Sequence, residues 1–265
     1  MKKYWAVFRW RFKMQIIWRF DVALTMMTTT GRIVAAWILW SAIFAGKETV
    51  SGFGFESMLS YYVVASFLAS LDMSSQIGFE VSDLIKSGGF SKHMVTPMQP
   101  LGFFGAMIAG EASFHLAFSC LAAALCAWLF QIHIALATDA ARLALGGGMA
   151  LLGLVFMAHY QHFIGTLAFR FIDIGFVLHA QGALLAFATG AMVPLSLLPP
   201  AVGDALSLLP FPHIVFTPAM LLTGQMGARE ALPGLAVLSV WVVLMGFIGR
   251  ISYYRLRTQY EGVGI

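Results

Sequence analysis

The chain has 265 residues, 60% of them hydrophobic and 11% charged, with a formal net charge of +4 and a mean hydropathy of +0.83. Soluble domains carry roughly 25% charged residues, so this balance excludes a soluble globular protein and marks an integral membrane protein. Apolar runs of about 20 residues, each long enough at ~1.5 Å per residue to cross ~30 Å of hydrocarbon, leave room for about six helices and no separate soluble domain.

The positive charge sits at the two ends of the chain, which argues against a nucleic-acid surface. Lys2, Lys3, Arg9, Arg11, Lys13 and Arg19 precede the first apolar run, and Arg250, Arg255 and Arg257 follow the last. Anionic headgroups and the membrane potential retain such residues in the cytoplasm. Both termini are therefore predicted inside, with an even number of spans. We predict an all-α membrane fold of six transmembrane helices, forming a single domain over residues 1–265.

Residues 1–21 interleave the basic residues with Tyr4, Trp5, Phe8, Trp10, Phe12, Trp18 and Phe20. Phe8, Phe12 and, loosely, Trp5 recur at helical spacing with Arg9 and Lys13 offset, which predicts an amphipathic helix in the headgroup layer; the plainer alternative is a positive-inside flank. A secretory signal is not expected, because the following apolar segment is too long and no A-x-A site follows it.

The first span is predicted over residues 22–45. Arg32 within it costs ~3 kcal/mol on insertion scales, so it should face protein or reach for the nearer surface. Residues 46–56 form an external loop, and the second span covers 57–78. Asp72, Ser74, Ser75 and Gln76 make its end polar, either as the mouth of a pathway or as helix-to-helix hydrogen bonding.

An inner loop over 79–98 comes next. A short helix is predicted at 81–86, with Val81, Leu84 and Ile85 on one face, Glu80 and Asp83 near its positive end and Lys86 near its negative end. Gly88 and Gly89 stop it, and Pro97 suits the first turn of the third span.

The third span is predicted over 101–130. Its stripe Gly102, Ala106, Gly110 permits close helix approach. Glu111 and His115, four apart, share a face; they are either a buried pair that orients helices or a contact for a transported molecule or proton. Residues 131–139 turn outside and the fourth span covers 140–167. His159 and His162 near its end lack an acidic or cysteine companion, so no metal site is predicted. Cys120 and Cys126 are six apart, point to different faces of one helix, and cannot bridge each other.

Arg170 and Asp173 mark an inner turn before the fifth span, 174–193. Residues 194–224 carry Pro194, Pro199, Pro200, Pro210, Pro212 and Pro218 among Leu, Phe, Val and Met. This stretch is too apolar for a solvated linker and too rich in proline for one straight span. Short broken helices dipping into the outer leaflet, with their loose backbone buried against protein, are predicted. The sixth span covers 231–254. No internal repeat is visible. No phosphate loop occurs, the nearest being Gly46-Lys47 followed by Glu48, so the chain should not hydrolyse ATP itself.

On these features the chain resembles, over essentially its full length, the ABC-2-type permeases, the membrane subunits of ATP-binding-cassette transporters. The resemblance rests on the basic aromatic start, on EVSDLIKSGGFSKHMVTPMQPL between spans two and three, and on PLSLLPPAVGDALSLLPFPHIVFTPAMLLTG between spans five and six. The nearest group is the small permeases that function as pairs of related subunits. The resemblance implies that the 80–97 loop is the coupling element that docks on the ATPase. Glu80, Gly88 and Val95-Thr96-Pro97 occupy its marked places, with Val where Leu is common. The coupling set is then Glu80, Asp83, Leu84, Ile85, Lys86, Gly88, Gly89 and Pro97, and Pro194, Pro199, Pro210 and Pro218 belong to an external re-entrant segment.

The resemblance further implies an exporter working by alternating access in a bacterial inner membrane. Its partners would be an ATPase subunit, which binds the ATP and Mg, and a second permease, identical or related. This chain would hold no cofactor. A path at the permease interface, lined by Phe, Leu and Met, favours a hydrophobic or amphipathic substrate, and Arg32, Asp72, Glu111 and His115 are its candidate polar residues. Two alternatives stand beside this reading. One is an ion-gradient-driven secondary transporter using Glu111 and His115, which would call for inverted repeats. The other is a scaffold subunit without transport, which leaves the proline-rich stretch unexplained.

Overall fold

The computed structural model describes residues 2–17, 19–50, 52–129, 135–171 and 173–260. Trp18 and positions 130–134 of the predicted third span and outer turn lie outside them, as do the side chains of Arg19 and Cys126. The order of helices is α1 (Lys2–Ile17), α2 (Arg19–Ile43), α3 (Phe55–Leu71), α4 (Ser75–Lys86), α5 (Ser91–Val95), α6 (Pro100–Leu129), α7 (Ala140–Thr166), α8 (Gly175–Ala188), α9 (Pro200–Ser207), α10 (Phe216–Leu222) and α11 (Leu232–Leu256). Among the described residues the only β feature is an isolated bridge between Val50 and Phe53.

Among the described residues three helical stretches are long and apolar enough to cross a membrane: Pro100–Phe118, Ala140–Phe169 and Leu232–Gln259. A fourth candidate is the pair Pro200–Ser207 and Phe211–Leu222, bent by 79°. Shorter apolar stretches are Thr30–Ile43 in α2 and Gly175–Ala188, and three predicted boundaries move for local reasons. The second predicted span breaks at Asp72, whose carboxylate accepts the Ser74 N–H at 3.0 Å. The chain restarts at Ser75, so the helix predicted over 81–86 is the 12-residue α4. The fifth predicted span stops at Ala188, because the chain turns through Gly190 at φ +79°, a conformation that only glycine adopts at little cost. α6 opens on Pro100 rather than Pro97, because α5 intervenes and Thr96, preceding the first proline, is extended.

α1 runs alongside the first half of α6 in the same direction. Tyr4 lies on Gly102, Phe8 on Gly110, and the rings of Phe12 and Phe114 meet edge-on at 5.4 Å. A Cβ at Gly110 would come within 2.5 Å of the Phe8 carbonyl oxygen. The small-residue stripe of the third predicted span therefore seats α1.

The segments predicted inside gather at one end of the molecule. Phe90, fully buried, packs there with Phe104, Phe169 and Tyr253, joining α5, α6, the end of α7 and α11. Lys3 donates to the Pro97 carbonyl, and Tyr4 Oη accepts the Gln99 N–H at 3.3 Å. The segments predicted outside meet at the other end. There the hydroxyls of Tyr61 and Tyr62 each donate at 2.7 Å, to the carbonyls of Gly190 and Met192. Ala137 N–H donates to Leu222 O at 2.8 Å, and Gln225 donates to Ser57 O at 2.9 Å. α7 links the ends, with Phe156 in the outer core and Ile164 in the inner one.

The proline-rich stretch forms short helices and 3-10 turns whose loose carbonyls find side-chain donors. With His213 Nε2 donating to Ser207 O at 2.9 Å, Nδ1 accepts from Thr217 at 3.0 Å. Trp241 Nε1 donates to Leu208 O at 3.0 Å. Pro194, Pro210 and Pro218 are buried, whereas Pro199, which precedes α9, is exposed. Such satisfaction is what irregular backbone in an apolar setting requires.

Candidate functional site: the inner-end face of α4

α4 has two unlike faces because its apolar residues recur every four positions on one side only. Ile77, Val81 and Ile85 are buried against Phe169, Ile174 and Leu178. Each such burial stabilises the seat by roughly 1.5–3 kcal/mol. The approach is close: a Cβ on Gly165 of α7 would lie 2.9 Å from Val81 Cβ and 3.1 Å from the Gly78 carbonyl oxygen. On the other side Phe79, Glu80, Asp83, Leu84 and Ser87 border an open groove of about 510 Å³. Ile85, predicted to share a face with Leu84, is only 6% exposed and belongs to the core. The outward apolar residues are Phe79 and Leu84.

The C-terminal end of α4 is fixed by its glycines. Ser87 N–H donates to Asp83 O at 2.9 Å, Gly88 N–H to Ile85 O at 3.2 Å and Phe90 N–H to Leu84 O at 2.9 Å. Gly88 holds φ +76°, and a Cβ at Gly89 would press on Leu84 Cδ2 at 3.2 Å. Orphan carbonyls are thus satisfied and the chain reverses into α5.

Two polar links tie α4 to the rest of the molecule. At its end, Lys86 Nζ meets Asp173 Oδ1 at 2.9 Å, in the turn before α8. The Gly175 N–H and then Lys86 hold the Asp173 carboxyl below the usual carboxylate range. At its start, Gln76 donates to Glu111 Oε1 at 3.1 Å and accepts from Arg11 at 3.2 Å. Arg11 pairs with Glu111 Oε2 at 2.9 Å. This triad joins α4, α6 and α1. Burial pushes the Glu80 carboxyl above its ordinary value; the Arg11 cation opposes the rise and the Glu111 carboxylate adds to it. Beyond the glycines, Val95 is 84% exposed on α5, with Met94 and Pro97 also exposed. The His93 ring lies 5.1 Å from Phe103 and 5.3 Å from Phe104. Its burial, then the Lys92 charge, lower its pKa.

The result is a short helix braced at both ends, clamped along one side and open along the other, at the end that gathers the basic termini. A family model described as ABC-2 family transporter protein matches residues 31–264. The chain belongs to the ABC-2 transporter family. No curated protein and no solved structure matches it. Membership makes the chain a multi-pass permease subunit without a nucleotide-binding domain, of a kind that normally works with an ATPase partner. In this permease α1, which carries Arg11, precedes the matched residues.

The predicted path residues are spread out. Arg32 is exposed on α2, Asp72 is half-buried in the turn after α3, and Glu111 and His115 are buried on α6. Among the described residues no hydrogen bond or ion pair joins any two of these four. Among the described residues no group of three or more His, Cys, Asp and Glu side chains assembles. Sequence reasoning missed the partners: Arg11 and Gln76 for Glu111, Asp173 for Lys86, and Phe90 as the anchor of α5. Arg11 lies 100 residues from Glu111, and no local spacing connects them. Phe90 alone had a signal, a large aromatic directly after two glycines.

Proposed function

We propose that this permease is the membrane subunit of an ATP-binding-cassette exporter. It moves a hydrophobic or amphipathic substrate by alternating access, driven by a separate ATPase that docks on the 80–97 loop. The observation that carries this reading is the two-sided α4. Force applied at Phe79, Glu80, Asp83 and Leu84 reaches α7 through the Gly78–Gly165 contact and α6 through Gln76 and Glu111. Coupling through packed and hydrogen-bonded elements is the physical requirement for such a drive. Exposed Met94, Val95 and Pro97 on the neighbouring chain extend the docking face.

The inner end is then cytoplasmic, with both termini, as its basic residues favour. Six spans follow if α2, α3 and α8 cross together with the three longer helices, leaving 194–224 as a re-entrant segment in the outer leaflet. A second permease, identical or related, completes the assembly. α2 exposes Trp37, Ile38 and Leu39, and a groove of about 520 Å³ runs past its Gly31 and Ala35, which suits a facing helix. The ion-driven alternative loses support, since the Glu111 carboxylate is already engaged by Arg11 and Gln76.

Affinity purification of the permease from native membranes, with bound proteins identified by mass spectrometry, tests the proposal. An ATPase subunit should accompany the wild type and be lost with Asp83→Arg/Leu84→Asp. Gradient-driven uptake by the permease alone, with no ATPase bound, would overturn it.

A further inference from the structure

A cavity of about 240 Å³ lies at the inner end, away from the groove on α4, between the start of α6, the last turns of α7 and the end of α11. Across Tyr253 and Tyr254 it adjoins a second depression, of about 360 Å³, bordered by Lys3 and Arg257. Among the described residues no acidic side chain borders either one. Arg250 and Arg257 lie 6.0 and 4.5 Å from the centre of the same Tyr254 ring. Among the described residues neither has a carboxylate partner.

Two further features point to a ligand. His162, which lines the cavity, is 4% exposed, and its Nε2 is buried without a hydrogen-bond partner. A buried polar atom left unpaired is costly, so a partner is called for. The start of α6 also borders the cavity through Pro100 and Leu101, which places the positive end of the helix dipole beside it. Gly246 and Gly249 keep the α11 side open; a Cβ at Gly246 would already touch the His159 ring at 3.4 Å.

Beside Arg250, the outer face of α11 is bare hydrocarbon surface: Val243 is 74% exposed, Phe247 65% and Ile251 38%. A ligand that satisfies both parts has an anionic head and apolar tails. We infer that this cavity binds the phosphate of an anionic phospholipid, with its acyl chains along Val243, Phe247 and Ile251. Arg250 and His162 supply donors within the cavity, and Arg257, in the adjoining depression across Tyr254, adds positive charge beside it.

The test is lipid retention in nanodiscs of phosphatidylcholine containing a minor share of phosphatidylglycerol, read by native mass spectrometry. Wild type should enrich phosphatidylglycerol by about fivefold for each engaged cation. Arg250→Gln/Arg257→Gln removes charge and leaves the helix packing, whereas Gly246→Leu fills the cavity and leaves the charge. Both should bring enrichment down to the bulk ratio, with unchanged thermal unfolding of the double arginine variant confirming that it is folded. Enrichment undiminished in the folded double arginine variant would overturn the inference. So would saturable binding of inorganic phosphate that Gly246→Leu abolishes while lipid enrichment stays as in wild type, since the phosphate would then come from a soluble molecule.

Discussion

Gly165 on α7 and Val81 on α4 meet so closely that a single added methyl group would sit 2.9 Å from Val81 Cβ. The Gly78 carbonyl oxygen, 3.1 Å away, blocks the other direction. Gly165→Ala should therefore push α4 off α7, at a cost of about 1–3 kcal/mol for overpacking. Hydrogen exchange over residues 75–86 should speed up in the variant. Protection equal to wild type would mean that this contact does not seat the helix.

The Arg11–Glu111 pair, 2.9 Å apart with the carboxylate largely buried, should behave as a unit. Removing one partner of such a pair leaves an uncompensated charge and destabilises by about 3–5 kcal/mol, while removing both costs less. Arg11→Met and Glu111→Met should each lower the unfolding temperature, and the double variant should recover part of the loss. Strict additivity in that cycle would show the two side chains to be independent.

Acid should loosen the C-terminal end of α4. Asp173 is held below the ordinary carboxylate range by Gly175 N–H and Lys86, so its ionised form favours the folded state. That contribution is fully present above the unfolded value of about 4 and is lost as pH falls through the depressed folded value. The gap in unfolding temperature between wild type and Asp173→Asn should be constant near neutrality and close below pH about 4. A gap independent of pH would remove the carboxylate from the account.

What the sequence made legible was the pattern carried by neighbouring residues. Helical class followed from composition, and the end of α4 from Gly88 and Gly89. The seat on α6 followed from Gly102 and Gly110, although nothing showed that α1 would fill it. Charge placement grouped segments that do gather at one end, through Lys3 with Pro97 and Phe90 with Tyr253. Contacts set by tertiary packing were not legible. The helical period put Val81, Leu84 and Ile85 on one broad face, but packing against α7, Phe169 and the start of α8 decides that Val81 and Ile85 turn inward while Leu84 stays at the groove. The break at Asp72 depended on one side chain capturing the Ser74 N–H, which the polar run from Asp72 to Gln76 does not by itself dictate.

The central claim, that the outward face of α4 receives the ATPase, is tested most directly by ATP hydrolysis in vesicles holding both subunits. With wild-type permease, hydrolysis should be stimulated. With Asp83→Arg/Leu84→Asp, stimulation should fall by at least about tenfold, as expected when central contact residues are lost. Membrane insertion should be unchanged and thermal unfolding should show a folded variant, because Asp83 is exposed and Leu84 is only half-buried at the edge of the inner core. Stimulation and transport equal to wild type in that variant would contradict the account.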